Sequence, residues 1–275
     1  MNCSFRASMA TILVMDAAQT IRDAVSKVFE LRRGSVANAP LKAAISEVKL
    51  FQARRFAHTY ADILNAGPYQ GAAKFFLEEL YGEKDYTHRD EQYARIAGAM
   101  QKLLPKQALA TAILLARVHL LTEELDHAMG LAWLAPIENS QVASLRPDSD
   151  GQDRALRYAI AWQNVGRKED RRTQLNSVLN VGHDLDRLTR TPGLRVMLKM
   201  MRRPAEAAGL SDLQRFLENG FDTFAEIGKR HQDVKVFLSL VAQRENKLIE
   251  DLFARPADEI AAQLVNVCKR PVNPS

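Results

Sequence analysis

His119, Glu123 and His127 follow one another at intervals of four, and Glu124 lies three residues before His127. Side chains three or four apart share a helix face, so these imidazoles and carboxylates could meet at one metal ion, and Glu-x-x-His is the helical element of di-iron carboxylate bundles. His119, Glu123, Glu124 and His127 are therefore the metal candidates. A full di-iron set needs a second Glu-x-x-His and two more Glu-bearing helices, and no second copy occurs in the chain. The cofactor is left unknown.

A second polar group sits on an apolar stripe. Leu41, Ala44, Ile45, Val48 and Ile63 define the stripe, and Gln52, Arg55, Thr59 and Asp62 project from the same arc. An unpaired charge in a core costs several kcal/mol, so Arg55 and Asp62 must meet other polar groups and are ligand-binding candidates. Asp186 is a third, set among Leu175, Leu179 and Gly182, with His183 three residues before it and Arg190 four after. The plainer reading of Asp186 is an intrahelical pair with Arg190. Taken together these groups fit a satisfied buried network, a ligand or metal pocket, or catalysis, and the catalytic residues stay unassigned.

Charge is unevenly spread. Residues 154–203 hold twelve Lys or Arg against four Asp or Glu, which makes that stretch +8 and, from a total of +5, the remainder −3. Arg167, Lys168, Arg171, Arg172, Arg202 and Arg203 form a candidate basic patch for phosphates or nucleic acid, with affinity that would fall with salt. Aromatic residues are not interleaved there as single-strand binding would want. No Gly-rich phosphate loop, G-x-S-x-G elbow or H-E-x-x-H occurs, which leaves nucleotide hydrolysis, serine esterase and zincin chemistry without support.

These residues need elements to position them, and the chain offers helices. Period-two runs of Val, Ile and Thr are absent, and Gly and Pro fall between periodic stretches. The expected fold is all-α, a compact bundle of about eight to ten helices. Helices are expected near 16–33, 41–65, after Pro68, at 90–104, from Pro105 to about 134, at 153–165, 169–190 and 193–203. A capping-box start at Ser211 to Gln214 and stripes in 213–227 and 236–252 predict a C-terminal antiparallel helical hairpin. The long segment after Pro105 is apolar on two sides, which predicts a central position.

Residues 1–15 are expected to be a disordered extension, 16–255 one helical domain with a loop near 136–151, and 256–275 a C-terminal helix and tail. Residues 1–15 do not read as a signal peptide, and Met9 or Met15 could be an alternative start. The apolar run 108–121 is interrupted by Arg117 and His119 and is too short for a bilayer, so no membrane insertion is expected. Cys3 and Cys268, at opposite ends, give neither a disulfide framework nor a zinc site, which points to a reducing, cytoplasmic compartment.

The word Phe75-Phe76-Leu77-Glu78-Glu79-Leu80-Tyr81-Gly82 resembles a bacterial family named for its FFLEELY motif, whose members are uncharacterised helical proteins. Arg55 to Tyr60 and Phe216-Leu217-Glu218 with Gly220-Phe221 belong to the same resemblance, which covers most of the chain. It implies a helical fold and brings no activity, cofactor or site residue. Within the motif, Ala72, Ala73, Phe76 and Leu77 share an arc with Tyr69 and Leu80, Phe75 and Tyr81 are placed to reach a second neighbour, and Glu78 and Glu79 are expected to face outward.

The leading functional expectation is a non-enzymatic cytoplasmic helical protein acting on another macromolecule, either another protein or a second copy of itself. The alternative is a helical-bundle metal-binding or small-ligand-binding protein, which could be an oxidoreductase.

Overall fold

A computed structural model describes residues 3–79, 87–136, 150–229 and 233–269. Among them all regular structure is helical: α1 (Cys3–Val36), α2 (Ala39–Thr59), α3 (Ala61–Asn65), α4 (Gln70–Glu79), α5 (Thr87–Leu103), α6 (Lys106–Leu134), α7 (Asp150–Val165), α8 (Lys168–Thr189), α9 (Leu194–Met200), α10 (Arg202–Ala207), α11 (Ser211–Lys229), α12 (Val234–Ala254) and α13 (Ala257–Leu264), followed by a 3-10 turn at Val265–Lys269. The segments outnumber the eight to ten expected because two expected helices are broken. The stretch 41–65 parts at Tyr60, whose φ of −111° and ψ of 20° are not helical, and 193–203 parts at Met201. Helical backbone also begins at Cys3, ahead of the expected start near 16. No Gly or Pro interrupts residues 3–15, so nothing there stops the helix from extending. The expected loop at 136–151 falls almost wholly, and Leu80 to Gly82 wholly, outside the described residues.

The long α6 is central, as its two apolar sides require. It packs on α1, α2, α7 and α8. Its first half contributes Leu109, Ala112 and Ala116 to one core with Ile21 and Val25 of α1 and Tyr93, Ala97 and Met100 of α5. Its last half sends Met129 into a larger core with Phe51 and Phe56 of α2, Phe76 of α4, Phe237 and Leu252 of α12 and Ile260 of α13. Between those apolar ends lies the polar middle of α6. The crossing of α2 and α6 is close at Gly130, where a Cβ would stand 2.4 Å from Ile45 Cγ1.

Helix α7 is buried on nearly every side. Ala155, Leu156, Tyr158, Ala159, Ile160, Ala161 and Trp162 are all in the core, and a helix apolar all round belongs in the interior. Helices α11 and α12 are consecutive and touch, and each packs more extensively on α8, so the two stripes share a core with that helix. The start of α11 also differs from the expected box. Gln92 of α5 caps it, its Oε1 accepting from the Leu213 N–H at 2.9 Å, while the Gln214 side chain donates to Leu198 O and Glu218. Phe75 stacks on Phe216 at 6.0 Å, the second neighbour expected for it. Among the described residues, no helix is long and apolar enough to cross a membrane.

Candidate ligand cavity

The polar middle of α6 lines a cavity of about 160 Å³ walled by α2, α4, α5, α6, α7, α8, α11 and α12. His119, Glu123 and Asp126 face it in a row, one helical turn apart. Glu123 Oε1 accepts from Arg32 Nη2 at 2.7 Å and from Lys49 Nζ at 3.1 Å. Asp90 Oδ2 accepts from Arg32 Nη1 at 2.9 Å and meets His119 Nε2 at 2.8 Å. Asp126 accepts from Gln52 Nε2 at 3.2 Å and lies 3.8 Å from Lys49 Nζ. At the other end, Arg55 Nη1 donates to Glu245 Oε1 at 2.5 Å, and Tyr60 Oη donates to the same oxygen at 3.1 Å.

The two carboxyls of α6 are driven in opposite directions. Burial works against the charge of Glu123, but Lys49 and Arg32 outweigh it and hold the group at about 2. Burial dominates at Asp126, where Lys49 stands farther off, and pushes that carboxyl above its ordinary range. Burial is likewise outweighed at Asp90, which His119, Arg89 and Arg32 hold below the usual carboxylate range. Asp90 is therefore an acceptor and orients the His119 ring through Nε2. The cavity thus sets a carboxylate-oriented imidazole beside two carboxyls whose surroundings push them apart.

Two buried groups in the wall lack what their neighbours have. Among the described residues, Tyr158 Oη and Trp162 Nε1 have no hydrogen-bond partner, although Tyr158 is 0 % and Trp162 6 % exposed. The indole N–H favours the Tyr158 phenolate without reaching hydrogen-bond geometry. Leaving a buried polar group unmet costs about 1–3 kcal/mol. Arg171 lies over the Trp162 ring at 4.3 Å, and Arg55 and Arg171 both act on the Tyr158 hydroxyl, opposing the upward push of burial. This corner of the cavity sets two donors beside Arg171 and the Arg55–Glu245 pair.

Residues 31–259 match a family described as a domain of unknown function, DUF8198. The chain belongs to that family. Every residue of the cavity wall lies inside the matched span, as does Arg32. Membership of a family without assigned function over most of the chain agrees with the resemblance drawn from the sequence. No curated protein and no solved structure matches the chain.

The expected site residues fare unequally. His119, Glu123 and Arg55 converge on the cavity, but Glu124 turns to Arg167 at 3.6 Å, and His127 is absent from the wall. Among the described residues, no three His, Cys, Asp or Glu side chains are placed to hold one ion. Asp62 forms a two-oxygen pair with Arg244 at 2.8 and 2.7 Å on the surface, because the break at Tyr60 turns it away from the arc that carries Arg55. Asp186 pairs with Arg190 at 2.8 Å, as the plainer reading had it.

The basic patch does not form as one cationic face. Arg171 is 5 % exposed and points inward. Arg167 pairs with Asp170 at 2.6 Å, and Lys168 and Arg172 share Glu250 at 2.6 and 2.5 Å. Arg202 meets Glu218 at 2.5 Å, and Arg203 is exposed. Of the motif carboxylates, Glu78 faces outward, whereas Glu79 reaches the cavity and accepts from Arg89 at 3.3 Å.

The sequence reading missed Arg32, Lys49, Asp90, Asp126, Tyr158, Trp162 and Glu245. For two of these a signal existed. Asp126 continues the 119, 123 row by one turn, and Glu245 stands in register with Leu238, Val241, Ile249 and Leu252 on the buried face of α12.

Proposed function

We propose that the protein binds a small organic acid in the polar cavity, its carboxylate taken by Tyr158 and Trp162 in the field of Arg55 and Arg171. The single observation that carries this reading is the pair of unmet buried donors in a wall where Lys49 and Gln52 are matched to carboxylates, as are Arg32 and Tyr60 behind it. A buried donor of this kind is satisfied by a ligand or by ordered water. An acceptor oxygen bearing negative charge suits both the donors and the potential. The Asp90–His119 pair places an oriented imidazole in the same cavity. The expected partner-binding role draws less support, since the basic segment that motivated it is largely neutralised by its own acidic neighbours. We further take the family to be the bacterial FFLEELY group, on the strength of the motif inside the matched span.

Trp162 itself reports on occupancy. With Trp133→Phe as background, Trp162 is the sole tryptophan, and benzoate, benzamide and benzylamine serve as probes. The expected result is a saturable change in emission with benzoate, weaker with benzamide and absent with benzylamine. Tyr158→Phe should weaken benzoate about tenfold, the worth of one hydrogen bond to a charged group. No saturable response to benzoate at concentrations well above millimolar, or tighter binding of benzylamine, would refute the assignment.

A further inference from the structure

The polar cavity has an apolar neighbour of about 140 Å³ between α4, α5, α6, α8, α9 and α11. Its polar wall groups are already satisfied. The Tyr93 hydroxyl donates to Ala112 O at 2.6 Å, and the Thr111 hydroxyl lies 3.0 Å from both Gln107 O and Asp184 Oδ2. A wall so lined offers water no hydrogen-bond partner. An apolar cavity of about 150 Å³ stays dry and accepts benzene.

Phe76, Tyr93, Leu115, Val118, Val178 and Phe216 line both cavities. The partition between them is thus made of side chains, apolar except for the committed Tyr93 hydroxyl. Leu115 and Val178 keep accessible surface although they lie on the inward faces of α6 and α8. A rotamer change at either is a small motion compared with a shift of helices. One side of the partition therefore offers charge and donors, and the other only hydrocarbon.

We infer that the ligand is amphipathic and occupies both cavities, its acid group at Tyr158 and Trp162 and its apolar end, a ring or short alkyl chain, past Leu115 and Val178 in the second. This rests on the organic-acid reading above and adds the tail. The two cavities divide the work: the polar one carries the acid-binding groups and turns Phe76, Leu115, Val178 and Phe216 toward the second, and the apolar one has no group to hold an acid. Each methylene moved from water into the apolar cavity should raise affinity about fourfold.

The test compares benzoate with 4-butylbenzoate by Trp162 emission, in the Trp133→Phe background and again with Ala108→Phe added. Ala108 lines the apolar cavity and not the polar one, so a larger side chain there fills the tail site. The butyl acid should bind at least tenfold tighter than benzoate, and Ala108→Phe should remove that gain while leaving benzoate unchanged. Ala108→Leu, a gentler filling, should remove part of it. Equal affinities for the two acids, or a gain that survives Ala108→Phe, would overturn the inference and leave the organic-acid reading standing. If neither acid binds, both readings fall, even if benzene raises the Tm of the unfilled protein and so shows that the apolar cavity takes a ligand by itself.

Discussion

Glu123 offers the sharpest check on the electrostatics of the cavity. Its side chain is only 9 % exposed, and Lys49 and Arg32 hold its carboxyl at about 2 against an ordinary 4.5. At about 1.4 kcal/mol per pH unit, that depression is worth about 3 kcal/mol of folding stability at neutral pH. The sign follows from linkage. A carboxyl whose pKa is lower in the folded protein contributes fully above its unfolded value near 4.5, and the contribution is lost as pH falls toward 2. Glu123→Gln keeps the shape and removes the charge, so it should cost about 2–3 kcal/mol at pH 7. The difference between the two proteins should shrink steadily below pH 4.5. Urea unfolding of both across that range isolates Glu123, because Asp90 and the other carboxyls titrate in each. A cost under about 1 kcal/mol at pH 7, or a difference that does not narrow in acid, would refute the argument that two cations outweigh burial at this position.

Other positions test other parts of the structure. Glu245→Ala removes the carboxylate that both Arg55 and Tyr60 face, which should cost about 3–5 kcal/mol; at about 2–4 °C per kcal/mol, the Tm should fall by roughly 6–20 °C. Replacing the pair with Arg55→Met and Glu245→Leu should recover most of it, and a single variant that melts with the parent would show the pair to be idle. Gly130→Ala drives a Cβ into Ile45 and should cost about 1–3 kcal/mol, with part regained in combination with Ile45→Ala; simple additivity of the two costs would count against a close α2–α6 crossing. Asp126 carries the opposite sign from Glu123: its raised pKa favours the protonated form in the folded protein, so the wild type loses stability relative to Asp126→Asn as pH rises above the ordinary carboxylate range. A gap that closes toward neutral pH would contradict that assignment.

Periodicity made the helices legible and, with them, the faces. The apolar ends of α6 and its inward polar steps at His119 and Glu123 follow from spacing alone, because burial on two sides leaves a pattern that a half-exposed helix would not have. The inward Arg55 was legible for the same reason. Asp62 was not, since the arc was extended through Tyr60, where the backbone leaves the helix and carries Asp62 out to Arg244. Arg171 was misplaced by composition: counted among surrounding cations, it belongs by position to the buried face with Leu175 and Gly182, and it lies on Trp162.

The partners were the harder part, for a reason of reach. Arg32 and Lys49 sit on the margins of α1 and α2 with side chains 21 % and 29 % exposed, and their long stems carry the charge inward to Glu123. No spacing within one helix marks such a residue, because its own face is that of a surface cation and its head is placed by another helix. The same holds for Tyr158 and Trp162: on a helix buried nearly all round, every position reads as core. What separates these two from their neighbours is that they stand in the wall of a space bounded by other helices with their polar atoms unmet. A cavity is a property of the packing of elements distant in sequence, and only when α2, α6, α8 and α12 are set around α7 do two ordinary aromatic core residues become the unmet donors on which the organic-acid reading turns.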